Sequence, residues 1–219
     1  LLAQQGLSQI RTFIEARRNL YQFLLRIFQA PLDKGWVHAF KEYEDVGGLG
    51  ELGSGGAGLH DFFSGAPCLK REATEFSRLF IGPGTLPAPP WESFYRSSEQ
   101  MLFDDVMYEV RQHFHREGLW FVKENNEPDD HLAVELEFML TLIIKGIHVE
   151  EEHEFFIILE KQRDFLSKHL GQWIGDFGKR LAESTDSKLY KGAAILAADF
   201  IANDLDFLNE LVEGLSDAE

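Results

Sequence analysis

The sequence predicts an all-α protein, and three observations carry that expectation. Apolar residues recur at three- and four-residue spacing through most of the chain, no segment keeps a two-residue alternation over a strand's length, and no proline follows Pro128. There is no repeat of fixed period, and 219 residues are enough to bury a full core. Residues 1–219 are therefore expected to form a single domain, a multi-helix bundle.

The elements follow in order. Ile10, Phe13, Ile14, Leu20, Tyr21, Leu24, Ile27 and Phe28 form one apolar stripe on a first helix that should stop near Pro31. The same stretch carries Arg17-Arg18-Asn19-Leu20 ahead of Tyr21-Gln22-Phe23-Leu24-Leu25, which superficially reads as a twin-arginine export signal. Gln22, Arg26 and Gln29 interrupt the apolar run, and Ala30-Pro31-Leu32-Asp33 is a poor cleavage site, so it reads as a core helix. A short helix around Trp36 to Tyr43 follows. Val46 to Leu59 is dominated by glycine and contains Gly53-Ser54-Gly55-Gly56-Ala57-Gly58, formally G-x-G-x-x-G. The dinucleotide fingerprint needs a strand before it, and Lys41-Glu42-Tyr43-Glu44-Asp45 is polar and helix-like. Residues 46–59 are expected to be a flexible, Gly-rich surface insert.

Cys68 to Phe80 reads as a helix with Phe76, Leu79 and Phe80 toward one side. Gly82, Pro83, Gly84, Pro87, Pro89 and Pro90 then make Ile81 to Pro90 a stiff, ordered crossing. A helix from Ser98 to about Glu117 should end at Gly118. Pro128 suits the first turn of the next helix, with Glu127, Asp129 and Asp130 at its positive dipole end. Leu132 to Ile147, Glu151 to Leu170, Trp173 to Ala182 and Lys188 to Val212 complete the helices.

The formal charge of −16 repels phosphate backbones and anionic membranes, and no apolar run is long enough to span a bilayer. Nucleic acid and membrane insertion are thus set aside, and a cationic partner is favoured. Cys68, the only cysteine, excludes an internal disulfide, a cysteine-based zinc site and a cysteine-ligated cluster within the chain. Glu150-Glu151-Glu152-His153 has the Glu-x-x-His spacing of di-iron bundles, but that site needs the motif twice and it occurs once. No phosphate loop and no nucleophile elbow is present, so neither an enzymatic activity nor a cofactor is expected.

Two clusters remain. In Pro89-Pro90-Trp91-Glu92-Ser93-Phe94-Tyr95 the prolines hold Trp91 at a defined angle, either toward a wet binding surface or as a plug under the loop. In Glu127-Pro128-Asp129-Asp130-His131, His131 and Glu135 share a helix face, either in a binding site or as caps with a surface ion pair.

Together these stretches resemble the TorD/DmsD family of molybdoenzyme maturation chaperones, also called redox enzyme maturation proteins. The matching residues are Phe80 to Tyr95 through the proline-rich crossing, and Glu127-Pro128-Asp129-Asp130-His131 with Glu135-Leu136-Glu137-Phe138-Met139. A third match is His169-Leu170 with Trp173, then Tyr190 and the helix ending in Asp199-Phe200. Some members have a second tryptophan where this chain has Gly84, and proline where it has Gly175.

The resemblance implies a TorD-like helical domain, a cytoplasmic location, and recognition of the twin-arginine signal peptide on the precursor of a molybdopterin-dependent oxidoreductase. By motif, Trp91, Asp130 and His131 line the peptide site, with Tyr95, Phe76 and Phe80 as neighbours. Asp130, with Glu135 or Glu92, would take the guanidinium groups across an open cleft shared with Trp91, and His131 would orient Asp130 or report pH. Monomer and domain-swapped dimer both stay open. The rival expectations are a switch that binds guanine nucleotide and a helical metal-binding protein.

Overall fold

The computed structural model describes residues 2–43, 46–97, 105–125 and 127–216. Among these there is no strand, only one isolated bridge, and the helices predicted from periodicity are present. Helix α1 spans Leu2–Gln29 and buries Ile14, Tyr21, Leu24, Ile27 and Phe28. Arg17 is buried too, its guanidinium bonded to both oxygens of Asp204, which also accepts from the Tyr21 hydroxyl at 2.8 Å. The arginine pair thus belongs to a core helix, as its interrupted apolar run implied. Arg26 closes α1 by donating to the carbonyls of Ala30 and Pro31, and Asp33 caps α2 (Lys34–Tyr43) through the Trp36 amide at 2.9 Å.

The glycine-rich stretch corrects an expectation. Instead of a surface loop it forms α3 (Val46–Leu49) and α4 (Gly53–Ser64), and α4 lies against the long C-terminal helix α11 (Lys188–Ser216). A Cβ on Gly55 would fall 2.4 Å from the Leu196 nitrogen, and one on Gly192 would fall 2.9 Å from the Gly55 oxygen. The glycines are there for backbone contact between two helices. That contact sinks Leu59 and Phe63 completely into the core.

Helix α5 (Leu69–Phe76) continues as one π-helical turn, Ser77–Ile81, and ends at Gly82, whose φ of +94° suits glycine. The proline-rich crossing leads to α6 (Glu92–Arg96). Helix α7 covers Asp105–Arg116 and stops before Gly118 at φ +72°, as expected; its predicted start at Ser98 lies outside the described residues. Helices α8 (Leu132–His148), α9 (Glu152–Lys168) and α10 (Leu170–Glu183) follow. Helix α1 packs on α8, while α11 is flanked by α4, α9 and α10. Trp173, Phe165, Phe177 and Tyr190 fill the space among them.

One boundary differs from the sequence reading. Pro128 is not in the first turn of α8, whose N-cap is His131. Asp130 and Leu132 are instead held by backbone bonds to Glu92 and Pro90, a long-range pairing that local capping signals do not encode. No helix among the described residues is long and apolar enough to cross a membrane.

Candidate functional site

The proline-rich crossing and the start of α8 meet along one seam. The Leu132 amide donates to the Pro90 carbonyl at 2.9 Å and the Glu92 amide to the Asp130 carbonyl at 3.0 Å, pairing Trp91 with His131 in an antiparallel bridge. Side chains reinforce it. The N-cap of α6, Trp91, has no capping side chain; the Asp130 carboxylate supplies one across the seam by accepting the Ser93 amide at 2.7 Å. His131 caps its own helix, its Nδ1 accepting the Ala133 amide at 3.1 Å, which leaves the ring proton on Nε2. Burial brings the His131 pKa down to about 4, consistent with that neutral form.

This geometry revises the expected pairing. Asp130 and His131 cap different helices, so His131 does not orient Asp130. Trp91 and His131 do not face one another across a cleft: their rings touch edge to face with centroids 5.7 Å apart. Both are part-buried and keep an open edge.

Behind the two rings are three fully enclosed carboxyl groups, Glu92, Asp130 and Glu135. Glu92 is paired with Arg96 and with His169 Nδ1 at 3.1 Å. Glu135 accepts the Trp173 indole N–H at 3.2 Å. Burial, then the neighbouring charges of Glu92 and Asp130, push the Glu135 pKa well above the usual carboxylate range, which favours its neutral form. Glu135 Oε1 is buried without a hydrogen-bond partner among the described residues. Asp130 is also raised, first by burial and then by Glu92. Asp129, equally enclosed, is clamped by Arg111 at 2.9 Å on both oxygens, which ties the seam to α7. The carboxylates expected to meet guanidinium groups are therefore sealed inside the protein.

The remaining predicted residues divide. Tyr95 stacks on Trp173 at 5.5 Å and stands directly behind the seam. Phe76 and Phe80 pack with Tyr190, and Phe80 with Phe28, so they belong to the aromatic core around the π-helical turn. Sequence reasoning did not assign roles to Arg96, His113, His169 and Trp173. His113 lies 4.9 Å from His169, and burial together with that neighbour lowers its pKa to about 4. His169 and Trp173 were visible as a motif, but nothing in their spacing named Glu92 and Glu135 as partners. Among the described residues no group of three or more His, Cys, Asp or Glu is arranged to hold a metal; Glu150 and His153 are exposed.

An all-helical scaffold with these two motifs sewn together defines a class, and comparison with known proteins supplies its name. Residues 51–179, more than half of the chain, match the family described as nitrate reductase delta subunit. The chain belongs to this family, which includes the TorD/DmsD molybdoenzyme maturation chaperones. It is 32% identical over 141 residues to the chaperone protein TorD of Vibrio cholerae, a match that covers 64% of each chain. It therefore spans about 64% of the length of that relative. A second TorD, from Vibrio vulnificus, is 24% identical over 212 residues, covering 92% of this chain and 99% of the other. The Tat proofreading chaperone DmsD of Salmonella paratyphi A is 32% identical over 122 residues, covering 56% and 54%. Among solved structures, a redox enzyme maturation protein from Archaeoglobus fulgidus matches with a TM-score of 0.48 and 22% identity, over 88% of this chain and 93% of that one.

Proposed function

We propose that the chain is a cytoplasmic chaperone that binds the twin-arginine signal segment of a molybdopterin-dependent oxidoreductase precursor and assists its maturation before export. The observation that carries this reading is the division of the seam into a frame and a face. Glu92, Asp130, Glu135 and Tyr95 form the frame: they are bonded or stacked behind the surface and fix its shape. Trp91 and His131 form the face, two adjoining rings with open edges. Aromatic rings with a polar handle suit an apolar peptide stretch at a wet surface. Because reciprocal caps hold them, they lose little freedom when a ligand arrives. The relatives, the chaperone protein TorD and the Tat proofreading chaperone DmsD, support the same reading.

Fluorescence anisotropy with a labelled synthetic twin-arginine leader tests it. Saturable binding is expected. Trp91→Ala should weaken it at least tenfold, about 1.4 kcal/mol, with helicity and melting temperature retained. Unfolding of Trp91→Ala would make Trp91 a core plug, and unchanged affinity would remove it from the face.

A further inference from the structure

The enclosed carboxylates leave a question about recognition: a leader with two arginines needs accessible negative charge, and at the seam Glu92, Asp130 and Glu135 are sealed while the exposed Glu127 near His131 is paired with Lys123 at 2.8 Å. A different part of the molecule offers it. Where the first half of α1 meets the turn between α8 and α9 there is a recess of about 190 Å³. Its floor is Ile10, Ile14, Ile147, Val149 and Phe155, and its rim carries Glu15, Glu150 and Glu152. Gly146 lies under the floor, where a Cβ would make ordinary contacts with Ile158 at 3.4 Å and the Phe155 ring at 3.6 Å.

Three observations give this recess a preference for an occupant that is apolar and cationic. First, the rim is acidic and its charge is little used. Glu15 is shared with Arg18 at 3.2 Å, whereas neither Glu150 nor Glu152 has a cation partner among the described residues. Two bases on α8 are committed elsewhere: Lys145 pairs with Glu117, and His148 Nδ1 lies 2.7 Å from the Ile144 carbonyl. Second, the recess is lined by the last turn of α8, whose partial negative charge favours a cation. Third, the positive end of α9 accounts for Glu152 but not for Glu15 or Glu150, which lie outside that helix. The larger groove beside Trp36 and Phe40, about 590 Å³, has no such rim; its one ionisable lining side chain is Arg26.

We propose that this recess docks the arginine-bearing part of the leader, with guanidinium groups on Glu15, Glu150 and Glu152 and a neighbouring aliphatic side chain on Ile14, Ile147 and Phe155. The proposal rests on the leader-binding reading above and adds a second contact point to it. Along α8 the recess and the His131 end are roughly 22 Å apart at 1.5 Å per residue. A leader spans that distance with about seven extended residues. A peptide of at least that length is needed to place arginines at one end of α8 and apolar residues at the other.

The test uses the whole chain, two synthetic leaders that differ only in Arg-Arg against Gln-Gln, and the rim variant Glu15→Gln/Glu150→Gln/Glu152→Gln. These positions are on the surface, so the fold is expected to be retained. The rim variant should bind the Arg-Arg leader about tenfold more weakly than wild type, with a flatter salt dependence, and the Gln-Gln leader equally well. Equal affinity of wild type and rim variant for the Arg-Arg leader overturns the recess while leaving leader binding at Trp91 intact. Failure of wild type to bind either leader overturns both. Equal loss for both leaders also overturns the proposal, because the effect then has nothing to do with arginine.

Discussion

Gly55→Ala is the sharpest test of how this fold is assembled, because two opposed effects act at one atom. Alanine favours helix over glycine by about 1 kcal/mol, so in an exposed helix or a flexible loop the change is stabilising or neutral. At Gly55 the added carbon meets the Leu196 nitrogen at 2.4 Å, the Gly192 oxygen at 2.8 Å and the Leu196 Cα at 3.0 Å, all backbone. No rotamer can relieve that contact, so α4 and α11 must move apart by roughly 1 Å to reach ordinary packing distances, loosening Leu59 and Phe63. Overpacking of this kind costs about 1–3 kcal/mol against that propensity gain. Because every contact is with backbone, the cost is at the upper end, about 2–3 kcal/mol, for a net loss of about 1–2 kcal/mol; at about 2–4 °C per kcal/mol for a chain of this size, the melting temperature should fall by roughly 2–8 °C. Gly175→Ala in α10 is the control: its Cβ would meet nothing within 4 Å, so it should raise the melting temperature by about 2–4 °C. Thermal melts followed by far-UV circular dichroism measure both. If Gly55→Ala melts at or above wild type, the close approach of α4 and α11 is wrong.

Three further outcomes are expected. Asp204→Ala strands the buried Arg17 guanidinium and the Tyr21 hydroxyl and should destabilise the protein by about 3–5 kcal/mol in urea denaturation; a loss under 1 kcal/mol would mean that water reaches the pair. Glu135→Gln keeps the indole bond and removes a carboxyl whose pKa is raised. The wild-type contribution is full below the ordinary value of 4.5 and is lost as pH rises, so the variant's advantage in melting temperature should grow from pH 5 to pH 8; parallel curves would refute it. The neutral His131 behaves oppositely. Its stabilisation is complete above 6.5 and lost as pH falls toward about 4, with a limit of about 3 kcal/mol, so His131→Asn, which retains a cap, should resist acid better than wild type; identical acid titrations of the two would exclude it.

The helix class and most boundaries were legible because they depend on spacing along a single segment. The stripe from Ile10 to Phe28 and the stops at Pro31 and Gly118 are local facts. The stretch around Gly55 was misread because glycine serves both freedom and close approach, and only the facing helix decides which. Gly192-Ala193-Ala194 on α11 is the partner signal, 137 residues away at Gly192. Pro128 was misplaced for a similar reason, since a bridge to Pro90 and Glu92 sets the start of α8. At the candidate site the residue types were legible and their burial was not. Asp and Glu are ordinarily exposed, and the groups that make it possible to enclose Glu92 and Glu135, namely Arg96, His169 and Trp173, are supplied largely by distant elements.

The reciprocal caps at the seam have a dynamic consequence. Since Asp130 completes α6 and the crossing pins the entrance of α8, neither helix start can fray without releasing the other. The amides of Glu92, Ser93 and Leu132, up to forty positions apart, should therefore exchange with solvent deuterium at one common rate, as a single opening unit.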